Sequence, residues 1–332
     1  MEKLRILLLG VGNFGVSWAQ VVIPACADMC IFSAAVDQQA TRLQHVPQGV
    51  ACFTNLDTAL QSVKPQLVIQ STPPHVHTAL NIHLLSLGYP VLCEKPIADN
   101  AKDAEELLNY YQKQGGFLMI GDNYRYSAVF RQCRKIIASG QLGALHSVQC
   151  RFRHYHPDFS AFYHGKLEQP LLMDVAIHHL DVARYLTGEE PEKTRCETWD
   201  ALYSWYQHRP ASATIQTQMT GGIRFHYFGT LAAPASTTDW NGEWEIECER
   251  GVLQIRRNQL YLFDQPEDNP VPILLEEKEH ESRVSMLREA LLALREQRKS
   301  ESDLMDNMRT FRWVLSAVQA SQTHVEVQAQ AD

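Results

Sequence analysis

Short apolar runs alternate with segments of helical periodicity over residues 1–124. The strands predicted here are Arg5–Leu9, Ile31–Val36, Leu67–Gln70, Val91–Cys93 and Phe117–Ile120, and the helices are Phe14–Ile23, Asn55–Val63, His75–Leu87 and Asn100–Gln114. Nearly continuous apolar strands separated by helices are typical of a parallel sheet that is covered on both faces. This part of the chain is therefore predicted to be a doubly wound α/β domain.

The rhythm changes from residue 125 onwards, where strands follow one another directly. The predicted strands are Leu145–Phe152, Thr194–Tyr203, Ser212–Met219, Ile223–Thr230, Glu243–Cys248, Gly251–Arg256 and Gln259–Phe263, with helices Ala128–Ser139, Leu172–Leu186, Glu281–Gln297 and Asp303–Gln322. The Gly221-Gly222 pair predicts a hairpin. Consecutive strands predict a second α/β domain with a largely antiparallel, open sheet, so we expect domains at 1–124 and 125–332.

The composition narrows the functional classes. The chain has 332 residues, of which 45% are hydrophobic and 20% charged, and its net charge is −8. An acidic surface is unsuited to nucleic acid, and no run approaches the roughly 18 apolar residues of a membrane span. The eight cysteines are scattered without a CxxC pair, which predicts free thiols and a cytoplasmic location.

A glycine-rich turn follows the first strand and opens the first helix, with the sequence Gly10-Val11-Gly12-Asn13-Phe14-Gly15. Glycines at these positions allow a tight turn, close approach of a pyrophosphate and close helix–strand packing. Asp37 ends the second strand, where a carboxylate accepts hydrogen bonds from the adenine ribose and repels a 2′-phosphate. The strand, the glycine-rich turn, the helix and Asp37 together predict a dinucleotide site that prefers NAD to NADP.

Two further motifs carry candidate chemistry. Glu94-Lys95-Pro96 ends the strand Val91–Cys93, and a lysine at that sheet edge could stabilise an alkoxide. Asp174, His178 and Asp181 share one face of an ideal α-helix, where carboxylates would support a histidine general base. The competing interpretations are an exposed ion pair for the first motif and a solvated helix face for the second.

Other polar residues are candidate substrate ligands, although an ordinary surface role competes for each of them. They are Asn123, Arg125, His154 and His156. A metal site at His178, completed by His154, His156 or His164, is disfavoured because Arg151 and Arg153 add positive charge and no standard ligand spacing is met. No metal is predicted. Trp240 and Trp244 are expected to pack in a core or an interface.

Together these motifs resemble the glucose–fructose oxidoreductase, inositol dehydrogenase and rhizopine-catabolism family, Gfo/Idh/MocA. The likeness also includes Ser71-Thr72-Pro73-Pro74 with His77 and the helix Asp303–Ser321. The resemblance implies a Rossmann domain, a second domain whose open sheet mediates oligomers, and Lys95 and His178 as catalytic pair assisted by Asp174. It also implies a cofactor site lined by Thr72, Pro73, His77, Glu94 and Lys95.

The resulting hypothesis is an NAD-dependent oxidoreductase that moves a hydride between the nicotinamide and a secondary alcohol of a sugar, polyol or related small molecule. The substrate ligands would be Lys95, Asn123, Arg125, His154, His156, Asp174, His178 and Asp181. A non-catalytic NAD-binding regulator and a reductase of ring imines are the alternatives. An uncovered sheet face would expose apolar area, which predicts a homodimer or homotetramer built on the second domain.

Overall fold

The computed structural model describes residues 2–155, 167–201, 203, 206, 209–264, 269–276 and 281–329. The chain forms two compact units, Met1–Asn123 with His280–Met308, and Tyr124–Glu279 with Arg309–Asp332. The first boundary between the units lies between Asn123 and Tyr124, next to the predicted boundary. The segment His280–Met308, which the predicted division gives to the second domain, lies in the first unit. The functional roles assigned to 1–124 and 125–332 stay predictions.

The first unit contains a six-stranded parallel sheet. Its strands are β1 (Leu4–Leu9), β2 (Cys30–Val36), β3 (Ala51–Phe53), β4 (Leu67–Gln70), β5 (Val91–Cys93) and β6 (Leu118–Ile120). They lie in the order β3-β2-β1-β4-β5-β6. That order reverses direction between β1 and β4, and ligands of doubly wound sheets bind at such a point, beyond the carboxyl ends of the strands.

Helices flank this sheet. They are α1 (Asn13–Ser17), continued by a π-helical turn at Trp18–Val22 and by α2 (Ile23–Ala25), then α3 (Leu56–Val63), α4 (His77–Ser86) and α5 (Ala101–Gln114), with 3₁₀ turns at Ala40–His45 and Pro74–Val76. Asparagine side chains cap the amino ends of α3 and α5: Asn55 accepts from the Thr58 amide and Asn100 from the Asp103 amide. The central strands are fully buried, as their unbroken apolar sequences require.

The second unit contains a nine-stranded sheet. Its strands are β7 (Leu145–Arg153), β8 (Pro191–Trp199), β9 (Ser212–Met219), β10 (Arg224–Thr230), β11 (Glu243–Cys248), β12 (Gly251–Arg256), β13 (Gln259–Phe263), β14 (Val271–Ile273) and β15 (Val327–Gln328). Their order is β14-β13-β12-β11-β7-β10-β9-β8-β15, and only β7 and β10 pair in parallel. The predicted fold class is thereby confirmed, as is the hairpin at Gly221-Gly222, where both glycines have positive φ.

The helices of the second unit follow the prediction less closely. They are α6 (Ala128–Ala138), a π-helical segment at Leu171–Ala176 and α7 (Ile177–Thr187), with 3₁₀ turns at Tyr124–Tyr126 and Thr220–Gly222. Two long helices follow, α8 (Ser282–Arg295) and α9 (Leu304–Thr323). From α9, the Trp313 indole donates to the hydroxyls of Thr194 and Thr217 on the inner face of the sheet, at 3.1 and 3.2 Å.

Helix α8 belongs to the first unit because its charged face binds the end of α2. Arg288 forms a bidentate ion pair with Asp28, at 2.9 and 3.0 Å. Arg295 donates to the carbonyls of Glu2 and Met29 at 3.0 and 2.9 Å. More than 250 residues separate the partners in sequence, so local periodicity carries no signal of this packing.

The middle of the outer face of the nine-stranded sheet is polar, while Trp199 and Phe228 lie on the same face towards β8, so the expectation of an exposed apolar face stays a prediction. A row of neighbouring side chains crosses the strands on that face, and it consists of Gln216, His226, Gln149, Glu245, Gln254 and Tyr261. All of them except Tyr261 line a hollow of about 510 Å³. Strict alternation explains the outcome, because the apolar partners Val148, Ile215 and Phe225 all point into the core.

No helix in the described part of the chain combines the length and apolar character needed to cross a membrane.

Candidate active site

The glycine-rich turn of the first unit is held by steric contacts that only glycine tolerates. Gly10 has φ +92°, and a Cβ there would lie 2.5 Å from the Ser71 carbonyl oxygen. A Cβ on Gly15 would lie 2.2 Å from the Gly10 oxygen, so the third glycine is needed for helix and turn to pack. Gly12 differs: a Cβ there would meet nothing within 4 Å. The second glycine faces open space at the amino end of α1, where a pyrophosphate fits.

Asp37 is tied to this turn as well as being placed for a ribose. Its carboxylate accepts hydrogen bonds from the amides of Val11 and Gln39, both at 2.8 Å. The residue is buried, with 7% of its surface exposed. Asp37 therefore shapes the loop between β1 and α1 in addition to its predicted role. The Arg42 guanidinium lies 3.7 Å from the same carboxylate, a cation that the sequence analysis did not identify.

His77 joins the two loops that follow β4 and β5. Its ring nitrogens lie 2.8 Å from the Thr72 carbonyl and 2.9 Å from the Pro96 carbonyl. Burial lowers the pKa of His77, whereas the two carbonyls, which only accept hydrogen bonds, favour a ring that donates from both nitrogens. The side chain is fully buried, and we therefore assign it to positioning in place of direct contact with a cofactor. Thr72 is half-buried and Pro73 exposed on the same loop.

Lys95 is fixed through both of its neighbours. The Glu94 amide donates to the Gln70 carbonyl at 2.9 Å, and the Glu94 carboxylate accepts from the Trp18 indole at 2.7 Å. On the other side, the Pro96 carbonyl faces His77. Trp18 was missed by the sequence analysis because a buried tryptophan in an amphipathic helix resembles ordinary core. The half-buried Lys95 side chain thus extends from a backbone that is held at both ends.

A second feature that the sequence analysis missed lies beside α1. The guanidinium of Arg283, from α8, lies 5.8 Å from the Phe14 ring centroid and donates to the Ser17 hydroxyl at 2.9 Å. Asn123 also contacts the start of α8, donating to the Ser282 hydroxyl at 2.5 Å. Its amide is therefore engaged within the first unit, and its role as a substrate ligand stays a prediction. Asn13 and Phe14 are exposed at the start of α1.

In the second unit, His178 lies just beyond a change of helix type. Leu171–Ala176 is π-helical and the α-helix begins at Ile177, so the α-helical spacing that placed Asp174 and His178 on one face does not apply between them. The His178 ring is buried and stacks on Tyr124, with centroids 4.2 Å apart and planes 10° apart. Asp174 is half-buried. Tyr124 lies between the predicted ligands Asn123 and Arg125, but the sequence analysis did not identify it.

Arg125 and Asp181 bind each other. The guanidinium donates through two nitrogens to the Asp181 carboxylate, one of them at 2.6 Å, and both residues are buried. The Thr310 hydroxyl donates to the same carboxylate at 3.1 Å. This pairing replaces the predicted role of Arg125 and Asp181 as direct substrate ligands, because a paired, buried carboxylate and guanidinium anchor α7 instead.

His179, next to the proposed base, is the centre of a second network. Its ring is completely buried, and burial lowers its pKa to about 3. Nε2 lies 2.9 Å from the Trp240 carbonyl and Nδ1 lies 3.3 Å from the Tyr227 hydroxyl. Because a carbonyl only accepts, Nε2 carries the proton, and the Tyr227 hydroxyl must then donate to Nδ1.

His154 and Trp240 lie together at the end of β7. Their ring centroids are 4.1 Å apart, and burial lowers the pKa of His154. Trp244 is core, as predicted, but Trp240 is 41% exposed. His156 and His164 lie outside the described residues. Within the described ranges, no group of three or more His, Cys, Asp or Glu side chains is arranged to hold a metal ion.

Comparison with known proteins identifies the family. Residues 4–122 match the model of the oxidoreductase family with an NAD-binding Rossmann fold, and residues 130–254 match that of the GFO/IDH/MocA C-terminal domain. The chain belongs to the Gfo/Idh/MocA family of NAD-binding oxidoreductases, as the sequence motifs indicated.

Similar proteins include the rhizopine catabolism protein MocA of Rhizobium meliloti, at 27% identity over 60% of this chain and 62% of that protein. Inositol 2-dehydrogenase of an Arthrobacter species (strain FB24) is 25% identical over 65% of this chain and 64% of its own length. Both alignments thus span just under two thirds of the relative. An oxidoreductase of Agrobacterium radiobacter, solved with NAD⁺, L-tartaric acid and magnesium, superposes with a TM-score of 0.87 over 99% of both chains, at 20% identity.

The glycine contacts predict opposite effects for two alanine substitutions. Gly15→Ala should destabilise the fold by roughly 2 kcal/mol or more, because its Cβ collides with backbone. Gly12→Ala should change the free energy of unfolding by less than about 0.5 kcal/mol, yet weaken NAD binding because its Cβ enters the pyrophosphate approach. Urea unfolding and calorimetric titration with NAD measure the two effects. Unchanged NAD affinity in Gly12→Ala would contradict this cofactor position.

The buried neutral state of His179 predicts an acid-sensitive stability. Since its pKa is about 3 when folded against an ordinary 6.5, the unfolded chain binds a proton that the folded chain refuses. The contribution to stability is complete above pH 6.5 and is lost progressively as the pH falls towards 3. Urea unfolding at several pH values between 7 and 4.5 gives the free energy of unfolding at each pH. This free energy should fall less steeply with decreasing pH in His179→Gln than in the original chain. Equal slopes would exclude a buried neutral His179.

Proposed function

We propose that this protein is an NAD-dependent dehydrogenase that oxidises a secondary alcohol of a sugar, polyol or related small molecule. The observation that carries the proposal is the retention of two candidate catalytic groups on held backbones: Lys95 between Glu94 and Pro96, and His178 against Tyr124. The family of NAD-binding oxidoreductases and the inositol 2-dehydrogenase relative support the reaction class.

The residues of the first unit fit a dinucleotide. Gly12, Asn13 and Phe14 would receive the pyrophosphate at the start of α1, and Asp37 would accept from the adenine ribose. The Thr72–Pro73 loop and Glu94 would lie beside the nicotinamide half. Bound NAD would supply the hydride acceptor.

The chain's own groups would handle the proton and the oxygen. A ring nitrogen of His178 would take the hydroxyl proton as the carbon–hydrogen bond of the alcohol breaks. The Lys95 ammonium would donate a hydrogen bond to the same oxygen and stabilise its developing negative charge. Asp174, four residues before His178, would orient the imidazole or stabilise its protonated form. Both catalytic groups must reach a single substrate for this chemistry.

Alanine at either catalytic position should lower kcat without removing the cofactor. Lys95→Ala loses oxyanion stabilisation and His178→Ala loses the proton acceptor, and each should reduce kcat on the order of 10²- to 10⁴-fold. Reduced-nicotinamide absorbance against a panel of polyols and sugars measures turnover, and calorimetry measures NAD affinity, which should change little. Gln20→Ala, at an exposed helix position of the first unit, serves as the matched control.

Full activity in either alanine variant would remove that residue from the mechanism. NAD binding by the original chain without turnover of any panel member would favour a non-catalytic regulator instead.

We also propose that the protein is a homodimer or homotetramer assembled on the outer face of the nine-stranded sheet. Polar, self-complementary surfaces can form such interfaces when their side chains pair across a symmetry axis. The molar mass measured by light scattering at micromolar concentration should therefore exceed that of the monomer. Gln149→Glu would place a second carboxylate beside Glu245 and should lower the mass. A monomer for the original chain would contradict the assembly.

The eight cysteines form no disulfide in the structure, and this supports our proposal of a reducing, cytoplasmic location.

A further inference from the structure

Trp240 is a large, partly exposed aromatic residue of the second unit, and its carbonyl is bonded to His179, the residue next to the proposed base. Trp240 lies in the connection between β10 and β11, and 41% of its surface is exposed. The Trp240 carbonyl accepts from Nε2 of His179 at 2.9 Å, and His179 directly follows His178. Tyr124 contacts both histidine rings, with centroid distances of 4.2 Å to His178 and 5.7 Å to His179.

The Trp240 ring packs against two other rings of the second unit. Its centroid lies 4.1 Å from that of His154 and 5.9 Å from that of the fully buried Phe152. These neighbours restrict the indole, and 41% of the residue is exposed. An indole held in this way offers a flat, apolar surface whose face carries partial negative charge.

The backbone that carries Trp240 is equally fixed. The Thr238 amide donates to the Arg153 carbonyl at 2.7 Å, and its hydroxyl accepts from the Arg153 amide at 3.1 Å. Gly242 has φ +74°, and a Cβ there would lie 3.3 Å from the Arg151 carbonyl oxygen. With the His179 hydrogen bond, three independent contacts hold this connection against β7 and α7.

We propose that Trp240 is a specificity-determining residue that stacks on the apolar face of a ring-shaped substrate, a pyranose or a cyclic polyol. The ring carbons of such molecules present a row of C–H groups on one face, which complements the indole face, while an extended acyclic polyol has no such face. His179 is the positioning residue, because its ring holds the backbone of Trp240 through the carbonyl. The inference rests on the proposed dehydrogenase function and specifies its substrate class.

Steady-state kinetics with the full chain and NAD test the stacking role of Trp240. The cyclic compounds myo-inositol, glucose and methyl glucoside are compared with the acyclic compounds sorbitol and glycerol. Trp240→Ala should raise KM for the cyclic substrates on the order of 10-fold and leave kcat and the acyclic KM values nearly unchanged. Trp240→Phe should recover most of the loss. Trp199→Ala, which removes an indole that is 37% exposed on β8, is the matched control and should behave like the original chain.

The positioning role of His179 has its own pair of variants. His179→Gln keeps an amide donor for the Trp240 carbonyl and should retain the preference for cyclic substrates. His179→Leu removes the donor and should lose that preference while NAD affinity is unchanged. A general loss of stability would affect cyclic and acyclic substrates alike, so the ratio of their KM values separates the two explanations.

Saturation-transfer NMR with NADH and the same panel makes the test independent of turnover. If the original chain oxidises nothing, the proposed function fails, yet binding of cyclic members that disappears in Trp240→Ala still supports the stacking role. Equal effects of Trp240→Ala on cyclic and acyclic compounds, no effect on either, or no binding of any cyclic member by the original chain would overturn it.

Discussion

The hydrogen bond from His179 to the Trp240 carbonyl is the contact on which the proposed substrate half of the site depends. A completely buried imidazole with a pKa of about 3 stays neutral, so its tautomer is fixed by the carbonyl on one side and the Tyr227 hydroxyl on the other. An acid-induced charge would break this arrangement. The same residue therefore joins α7 to the backbone of Trp240 and to the Tyr227 side chain of β10.

The cofactor half depends on backbone contacts of a different kind. Glycine at positions 10 and 15 lets three chain segments approach within van der Waals contact, and Asp37 and His77 fasten the loops that surround them. Asp37 thus holds the loop in addition to its predicted ligand role, whereas His77 has the positioning role alone. Loops at the edge of a parallel sheet have few backbone partners of their own, so buried side chains supply the missing hydrogen bonds.

Much of the fold followed from the sequence because unbroken apolar strands and the glycine spacing are local signals. The strands Leu67–Gln70 and Ser212–Met219 are observed with the predicted bounds. The short strands Ala51–Phe53 and Val327–Gln328 were missed, since two or three residues show no periodicity. The π-helical turn at Leu171–Ala176 and the packing of α8 depend on contacts with distant residues, which no local pattern encodes.

The candidate site was predicted in part for the same reason. Motif positions identified Lys95 and His178, but Arg125 and Asp181, equally polar in sequence, bind each other. The sequence analysis did not identify Trp18 or Tyr124 and expected Trp240 to pack in a core or an interface, because an aromatic side chain resembles a core residue until its exposure and its partners are known. Sequence spacing indicates which residues share a segment, whereas their hydrogen-bond partners decide which remain available to a ligand.

Transfer of an isotopic label tests the central claim most directly. The protein would be incubated with NAD and a panel of cyclic polyols and sugars deuterated at their carbinol carbons, and the nicotinamide product would be examined by mass spectrometry. We expect NADH that carries deuterium from one panel member, together with the matching ketone. Unlabelled nicotinamide with every member, although NAD is bound, would contradict a dehydrogenase that takes its hydride from a secondary alcohol.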